Sequence, residues 1–236
     1  MSIPAESRDP GRTASRGPPR RGRGVEPPSP RWDLLTERIY IDCEMVTARK
    51  EGGGYWNPLG RVTALNDDGK VAYDVFVYHP DVAITSTNRP WSGIAYEDIK
   101  PQNGAAPFPE VQQNMKRIVR GRIVVGHAIH NDWKALGLTP SDLGLKGIRD
   151  TQSFSGYQRH ARRAQGPGLK VLYHALFGAA IQRGPHCSIE DAEATRRCYK
   201  ARERDIDAEQ SAGAEQPSAE ELPSDDWVPL EGPPLG

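Results

Sequence analysis

The segment Ile39-Tyr40-Ile41-Asp42-Cys43-Glu44-Met45-Val46 places two carboxylates inside an apolar run. Such a run reads as a strand entering a core, over about residues 38 to 46. A buried carboxylate costs free energy unless a partner or a cation compensates it. Residues i and i+2 of a strand share a face. Asp42 and Glu44 therefore point the same way, with Cα atoms roughly 6–7 Å apart, while Cys43 packs as a small apolar group on the other face. Two like charges at that range raise each other's pKa, and a divalent cation between them reverses the sign. A strand end with two solvated acids is the ordinary alternative, and for a lone Asp-x-Glu it is the commoner one.

Two further stretches carry candidate chemistry. Asp132 follows the run Ile123-Val124-Val125-Gly126-His127-Ala128-Ile129-His130-Asn131, where an acid at a helix start also suits the helix dipole. His127 and His130 beside Asp132 raise the question of zinc. They straddle a strand-to-helix junction, so no shared face is assured. His186-Cys187-Ser188-Ile189-Glu190-Asp191 heads the last helical pattern. Ser188 and Asp191 have the spacing of a capping box. A neutral imidazole at His186, just before the helix, is suited to take a proton from water.

Around these residues the chain reads as a meander of strands followed by alternating helices and strands. Arg61 to Asn66 and Val71 to Tyr78 form two strands joined at Asp67-Asp68-Gly69. A Pro-rich irregular stretch follows. Pro109 to Arg120 is a helix with Val111, Met115, Ile118 and Val119 on one face. Arg122 to His127 is a short buried strand, Asn131 to Leu138 a helix with Ala135 and Leu138 facing inward, and Gly147 to Thr151 another strand. Leu169 to Phe177 is a helix ending at Gly178, and Ser188 to Arg202 is the last one. The expected class is α/β, a mixed sheet with helices on its faces.

Net charge is zero but unevenly distributed. Residues 1 to 31 carry seven Arg against Glu6, Asp9 and Glu26, and residues 203 to 236 carry ten acids against Arg204. Both ends are rich in Pro and poor in apolar surface, too poor to offset ordering entropy. The expected organisation is a disordered basic arm over 1–33, a folded domain over 34–204 and a disordered acidic tail over 205–236. The arm's Arg16-to-Gly24 stretch suits a nuclear address or an RNA-touching segment, and Trp227 in the tail suits a docking motif for a protein partner. Cys43, Cys187 and Cys198 match neither a disulfide framework nor a CxxC zinc site, which points to a reducing compartment. No run approaches 18 apolar residues and no apolar leader is present, so neither a membrane span nor secretion is expected.

Taken in order, Ile41-Asp42-Cys43-Glu44-Met45-Val46, Val125-Gly126-His127-Ala128-Ile129-His130-Asn131-Asp132, Ile148-Arg149-Asp150-Thr151 and His186-Cys187-Ser188-Ile189-Glu190-Asp191-Ala192 resemble the motifs of the DEDDh 3′-5′ exonucleases. Within that group the chain is most similar to the RNA exonuclease Rex branch, the ribosomal-RNA-processing type, over roughly residues 36 to 202. The resemblance implies a ribonuclease H-like fold and a hydrolase of the nucleus or nucleolus that releases 5′-mononucleotides. It implies two Mg²⁺ or Mn²⁺ ions held by Asp42, Glu44, Asp132 and Asp191, with Asp42 bridging them and His186 as general base. Met45, Val46 and His127 would line the terminal nucleotide's pocket. Arg89, Trp91, Arg162 and Arg163 are further substrate-contact candidates, with Arg159 and Lys170 beside them, whereas Asp150 is expected to hydrogen-bond structurally. The family usually places an acid, an aromatic, Arg and Thr before Ser92-Gly93-Ile94. This chain has Ser86-Thr87-Asn88-Arg89-Pro90-Trp91. RNA is the implied partner, and single-stranded DNA or binding without turnover are the alternatives.

Overall fold

The structure, a computed structural model, describes residues 25–161 and 164–212. Its elements in chain order are β1 Arg38–Met45, β2 Thr47–Arg49, β3 Tyr55–Trp56, β4 Leu59–Leu65, β5 Val71–Tyr78, β6 Ile84–Ser86, α1 Arg89–Ser92, β7 Ala106–Pro107, α2 Phe108–Val119, β8 Ile123–Gly126, α3 His130–Leu136, β9 Gly147–Asp150, α4 Leu169–Phe177, α5 Ser188–Ala201 and α6 Glu203–Ala212. Six strands form one sheet in the order β7-β5-β4-β1-β8-β9, and β3-β2-β6 form a smaller second sheet. β1 pairs antiparallel with β4 and parallel with β8, so the sheet is mixed as expected.

Strand alternation sorts the residues of β1 between two cores. Ile39, Ile41 and Cys43 face α2 and α3, packing with Val111, Met115, Ile118, Trp133 and Leu136. Tyr40 faces α4 and α5 with Leu172, Ala194, Cys198 and Tyr199. Asp42 and Glu44 share the Tyr40 face. Asp42 lies opposite Thr63 and Glu44 opposite Arg61 in the register with β4, and a register shift between Glu44 and Met45 ends the regular pairing there.

The expected helices over 109–120, 131–138, 169–177 and 188–202 all form within a residue or two, and Gly178 closes α4 in the left-handed conformation. The Pro-rich stretch after β5 is less irregular than expected, since it holds β6, α1 and β7.

Both outer boundaries need correction. Residues 25–33, expected in the disordered arm, run onto the domain: the Arg31 amide donates to Ala72 O at 2.8 Å, and the Arg117 guanidinium stacks 4.2 Å over Trp32. Residues 205–212, expected in the disordered tail, belong to α6. Ile206 there is fully buried, and Asp207 pairs with Arg149 at 2.6 Å and Arg38 at 3.2 Å. Average composition over 205–236 hides one short amphipathic piece at its start. Residues 1–24 and 213–236, including Arg16 to Gly24 and Trp227, lie outside the described residues. Among the described residues no helix is long and apolar enough to cross a membrane, and the three cysteines are free.

Candidate active site

Glu44, His186 and Asp191 converge, each with a ligand atom within 4.8 Å of the others. Glu44 comes from the end of β1, Asp191 from the first turn of α5 and His186 from the segment just before it. α5 is set on this face of the sheet by Ser188, whose hydroxyl meets Thr63 Oγ1 of β4 at 2.7 Å. That contact overturns the capping box. Cys187, not Ser188, occupies the N-cap, with no side-chain cap, because the Ser188 hydroxyl is committed to the sheet.

Asp42 and Asp132 complete the carboxylate group electrostatically. Burial raises the Asp42 carboxyl well above its usual range, and Asp191, Asp132 and Glu44 push it further. Burial is also the main cause that lifts Glu44 to about 9, with Asp191 adding to it and Arg61 opposing. Asp132, in the first turn of α3, is lifted to about 7 by burial, against hydrogen bonding from Cys43. Three acids with raised proton affinities gathered beside the Asp191 carboxylate describe a place where negative charge is concentrated beyond what the protein itself compensates.

A divalent cation fits that description. Glu44 Oε1 is buried with no hydrogen-bond partner among the described residues. A buried carboxylate oxygen left so is costly. Oxygen-rich donors with one imidazole suit hard ions such as Mg²⁺ or Mn²⁺.

The imidazole is held by its surroundings. His186 Nδ1 lies 3.4 Å from Asp191 Oδ2 and 3.4 Å from Gln182 Nε2. The Gln182 amide also donates to Asp191 Oδ1 at 3.0 Å, and its backbone takes a left-handed φ of 52°. Gln182 was not singled out from sequence, and a glutamine in a loop four residues before His186 carries no periodic or motif signal. The His186 amide donates to Trp91 O, which fastens the 86–91 loop beside the site.

The other candidates divide. His127 follows the end of β8 with Nδ1 2.9 Å from Thr151 Oγ1, and its Nε2 is buried with no close hydrogen-bond partner among the described residues. Arg89 and Trp91 are exposed on the rim. Met45 packs partly buried against the α2/α3 core. Val46 is corrected: it is 1% exposed, its amide bonds Pro58 O, and its side chain fills the space above Gly60, so it is not available to a nucleotide. Lys170 is held by Gln182 O at 2.9 Å, and the Arg159 guanidinium faces the His160 ring at 3.1 Å. Arg162 and Arg163 lie outside the described residues. Asp150 serves structure, as expected: its two oxygens accept the amides of Ala128, Ile129 and Gln152 at 2.8–3.1 Å.

No protein-family model matches the chain. It is 38% identical over 168 residues to RNA exonuclease 4 of Xenopus laevis, covering 71% of this chain and 38% of that protein. It is 36% identical over 165 residues to RNA exonuclease 4 of Homo sapiens, covering 70% and 37%. With RNA exonuclease 4 of Candida glabrata the identity is 33% over 171 residues, covering 72% and 62%. The chain thus spans little more than a third of the length of the vertebrate relatives. Among solved structures, the Neurospora crassa Pan2 catalytic unit (protease and nuclease domain) matches with a TM-score of 0.59 at 18% identity, covering 86% of this chain and 34% of that one. The Saccharomyces cerevisiae Pan2 pseudoubiquitin hydrolase-RNA exonuclease module in complex with AAGGAA RNA matches with a TM-score of 0.59 at 20% identity, covering 82% and 34%. The shared fold is ribonuclease H-like.

Proposed function

Because this chain belongs to the DEDDh exonucleases, on the branch of the RNA exonuclease 4 proteins, we propose that it is a metal-dependent 3′-5′ exoribonuclease that releases 5′-mononucleotides. The observation that carries the reading is the convergence of Glu44, His186 and Asp191 within 4.8 Å, beside the coupled carboxyls of Asp42 and Asp132. Two hard ions held by these oxygens would stabilise the attacking and leaving oxygens of an in-line displacement at phosphorus. The protein's own share is to gather the acids, to keep the imidazole in place through Asp191 and Gln182, and to accept the proton of the attacking water at His186. Asp191 and Glu44 would help hold the ion that activates the water, and Asp132 would support the second ion.

We assign the enzyme to ribosomal RNA processing in the nucleus. The support is the likeness to the Rex branch and the arginine-rich 16–24 stretch. The 86–91 loop favours a second reading, a DNA-directed exonuclease of the same fold, because the usual loop residues are replaced and Trp91 stands beside His186. Digestion of matched 5′-labelled RNA and DNA oligonucleotides with Mg²⁺, with Mn²⁺ and with chelator tests both. A ladder of 3′-shortened RNA that disappears in Asp191→Asn and Glu44→Gln is the expected result. A DNA ladder alone establishes the second reading, and tight binding with no ladder in either metal reduces the protein to a binder.

A further inference from the structure

The small sheet β3-β2-β6 exposes aromatic rings where the large sheet buries them. Tyr55 is 61% exposed, Trp56 40% and Trp91, just past β6, 62%. Among the described residues these three rings have no aromatic or cationic ring partner. Trp32, the other exposed tryptophan among the described residues, is covered by Arg117.

Cations accompany these rings. Arg49 and Tyr55 are register partners across β2 and β3, so their side chains share a face, while Trp56, paired with buried Ala48, lies on the opposite one. Arg49, Lys50 and Arg89 are exposed and form no ion pair among the described residues. Glu51 is the one acid in the β2–β3 turn. That turn is closed by the Lys50 amide on Gly54 O at 3.0 Å, with Gly52, Gly53 and Gly54 all at positive φ, a conformation glycine adopts without strain.

The surface is continuous with the active site. β2 begins two residues after β1, so Arg49 stands five residues past Glu44, a reach of roughly 17 Å in extended chain. Thr47 Oγ1 accepts from Asn88 Nδ2 at 2.9 Å and meets Asn57 Oδ1 at 3.3 Å. These bonds tie the Trp91 loop to the β3 side of the sheet, and the Trp91 carbonyl in turn accepts from the His186 amide.

We propose that the β3-β2-β6 sheet and the Trp91 loop form a second nucleic-acid surface, which stacks the bases of a single strand upstream of the nucleotide held by the carboxylates. Exposed rings interleaved with unpaired cations are the chemistry that holds single strands without sequence preference, the rings taking bases and the cations phosphates. This inference rests on the exonuclease reading above and adds where the rest of the substrate lies.

The test uses the full chain and oligoribonucleotides from two to eight nucleotides. In the unaltered protein, KM is expected to fall as the substrate lengthens. In the double variant Tyr55→Ala, Trp91→Ala that fall is expected to shrink by roughly tenfold or more, the scale of one lost base stack, and Tyr55→Phe, Trp91→Tyr is expected to keep it. An eight-mer with abasic upstream positions should weaken binding to the unaltered protein by a similar factor and leave the double alanine variant little changed, a measurement that needs no variant to fold differently. If the unaltered protein degrades RNA with a KM independent of length, or if abasic positions cost nothing, the second surface is overturned while the exonuclease reading stands. If it degrades no RNA of any length, the exonuclease reading falls first.

Discussion

The Gln210 side chain bonds both backbone groups of Asp150: its Oε1 accepts from the Asp150 amide at 2.8 Å and its Nε2 donates to the carbonyl at 2.9 Å. β9 is an edge strand of the large sheet, and an open edge leaves amides and carbonyls unpaired. α6 supplies a side-chain amide in place of a neighbouring strand. On its other side, the Asp150 carboxylate takes the amides of Ala128 and Ile129, and Ala128 holds a positive φ of 56°, a costly conformation for a residue other than glycine. The link runs from α6 through Asp150 to the Ala128-Ile129 segment that leads into α3, whose first turn carries Asp132.

α6 is therefore expected to be part of the folded unit. Ile206→Ala removes a fully buried side chain and should destabilise the protein by about 2–5 kcal/mol. Gln210→Ala leaves two backbone groups of an edge strand to water and should cost less, about 1 kcal/mol. Urea denaturation of the full chain measures both. A negligible loss in Ile206→Ala would detach α6 from the domain.

Asp150→Asn separates shape from hydrogen bonding. The carboxylate accepts three amides with two oxygens, whereas an amide side chain sets an N–H against one of those donors. A loss of about 1–3 kcal/mol is expected, together with weaker Mg²⁺ binding because the segment before α3, which positions Asp132, loosens. Calorimetric titration of the folded variant checks the second part, and an unchanged affinity would confine Asp150 to stability.

What the sequence disclosed followed from periodicity and paired spacing. The i, i+2 rule put Asp42 and Glu44 on one face, and the four apolar positions of α2 are all buried. The hydroxyl of Ser188 had two possible partners, a helix end and a strand 125 residues away in sequence, and only the packed sheet decides for Thr63. Gln182 reaches Asp191 from an irregular loop, where side-chain direction has no local rule. α6 was hidden because Ile206 is its one buried apolar side chain among the described residues, and its ion pairs go to Arg38 and Arg149 on distant strands.

Arg61 restrains Glu44 from the neighbouring strand. Its guanidinium is fork-bonded to Asp74 at 2.8 and 3.0 Å with a side chain 4% exposed. Arg61→Met leaves Asp74 without its cation and should cost about 3–5 kcal/mol. It also removes the positive charge that lowers the Glu44 proton affinity, and because that charge repels a divalent ion more strongly than a proton, the apparent Mg²⁺ affinity of the folded variant should rise. Magnesium titrations of folded Arg61→Met that match the unaltered protein would dismiss that electrostatic role.

Raised carboxyls give the metal-free protein a defined pH dependence. Glu44 is lifted from 4.5 to about 9 and Asp132 from 3.8 to about 7. Between those values the folded chain keeps protons that the unfolded chain has shed. Stability is then greatest at the acid end of the window and declines as pH rises from about 4 towards about 9, by up to roughly 1.4 kcal/mol per pH unit for each excess proton. Melting in chelator at several pH values should show the decline. Adding Mg²⁺ should raise Tm more at pH 8 than at pH 5, because the ion binds ionised carboxylates of the native state. Melting temperatures independent of pH in chelator would contradict the buried, coupled placement of these acids.

His186 is expected to act on turnover rather than on binding. Its ring is partly exposed and is oriented from behind, with Nδ1 facing Asp191 Oδ2 and Gln182 Nε2 at 3.4 Å each. A general base contributes on the order of 10²- to 10⁴-fold, so His186→Ala should lower kcat on RNA by that range with KM little altered. Gln182→Ala removes the donor to Asp191 Oδ1 without removing the base, and should lower kcat by a smaller factor. Added imidazole should restore part of the His186→Ala rate and none of the Gln182→Ala loss, because only the first variant lacks the proton acceptor. Equal rescue of both, or a His186→Ala enzyme that turns over normally, would move the proton acceptor elsewhere in the site.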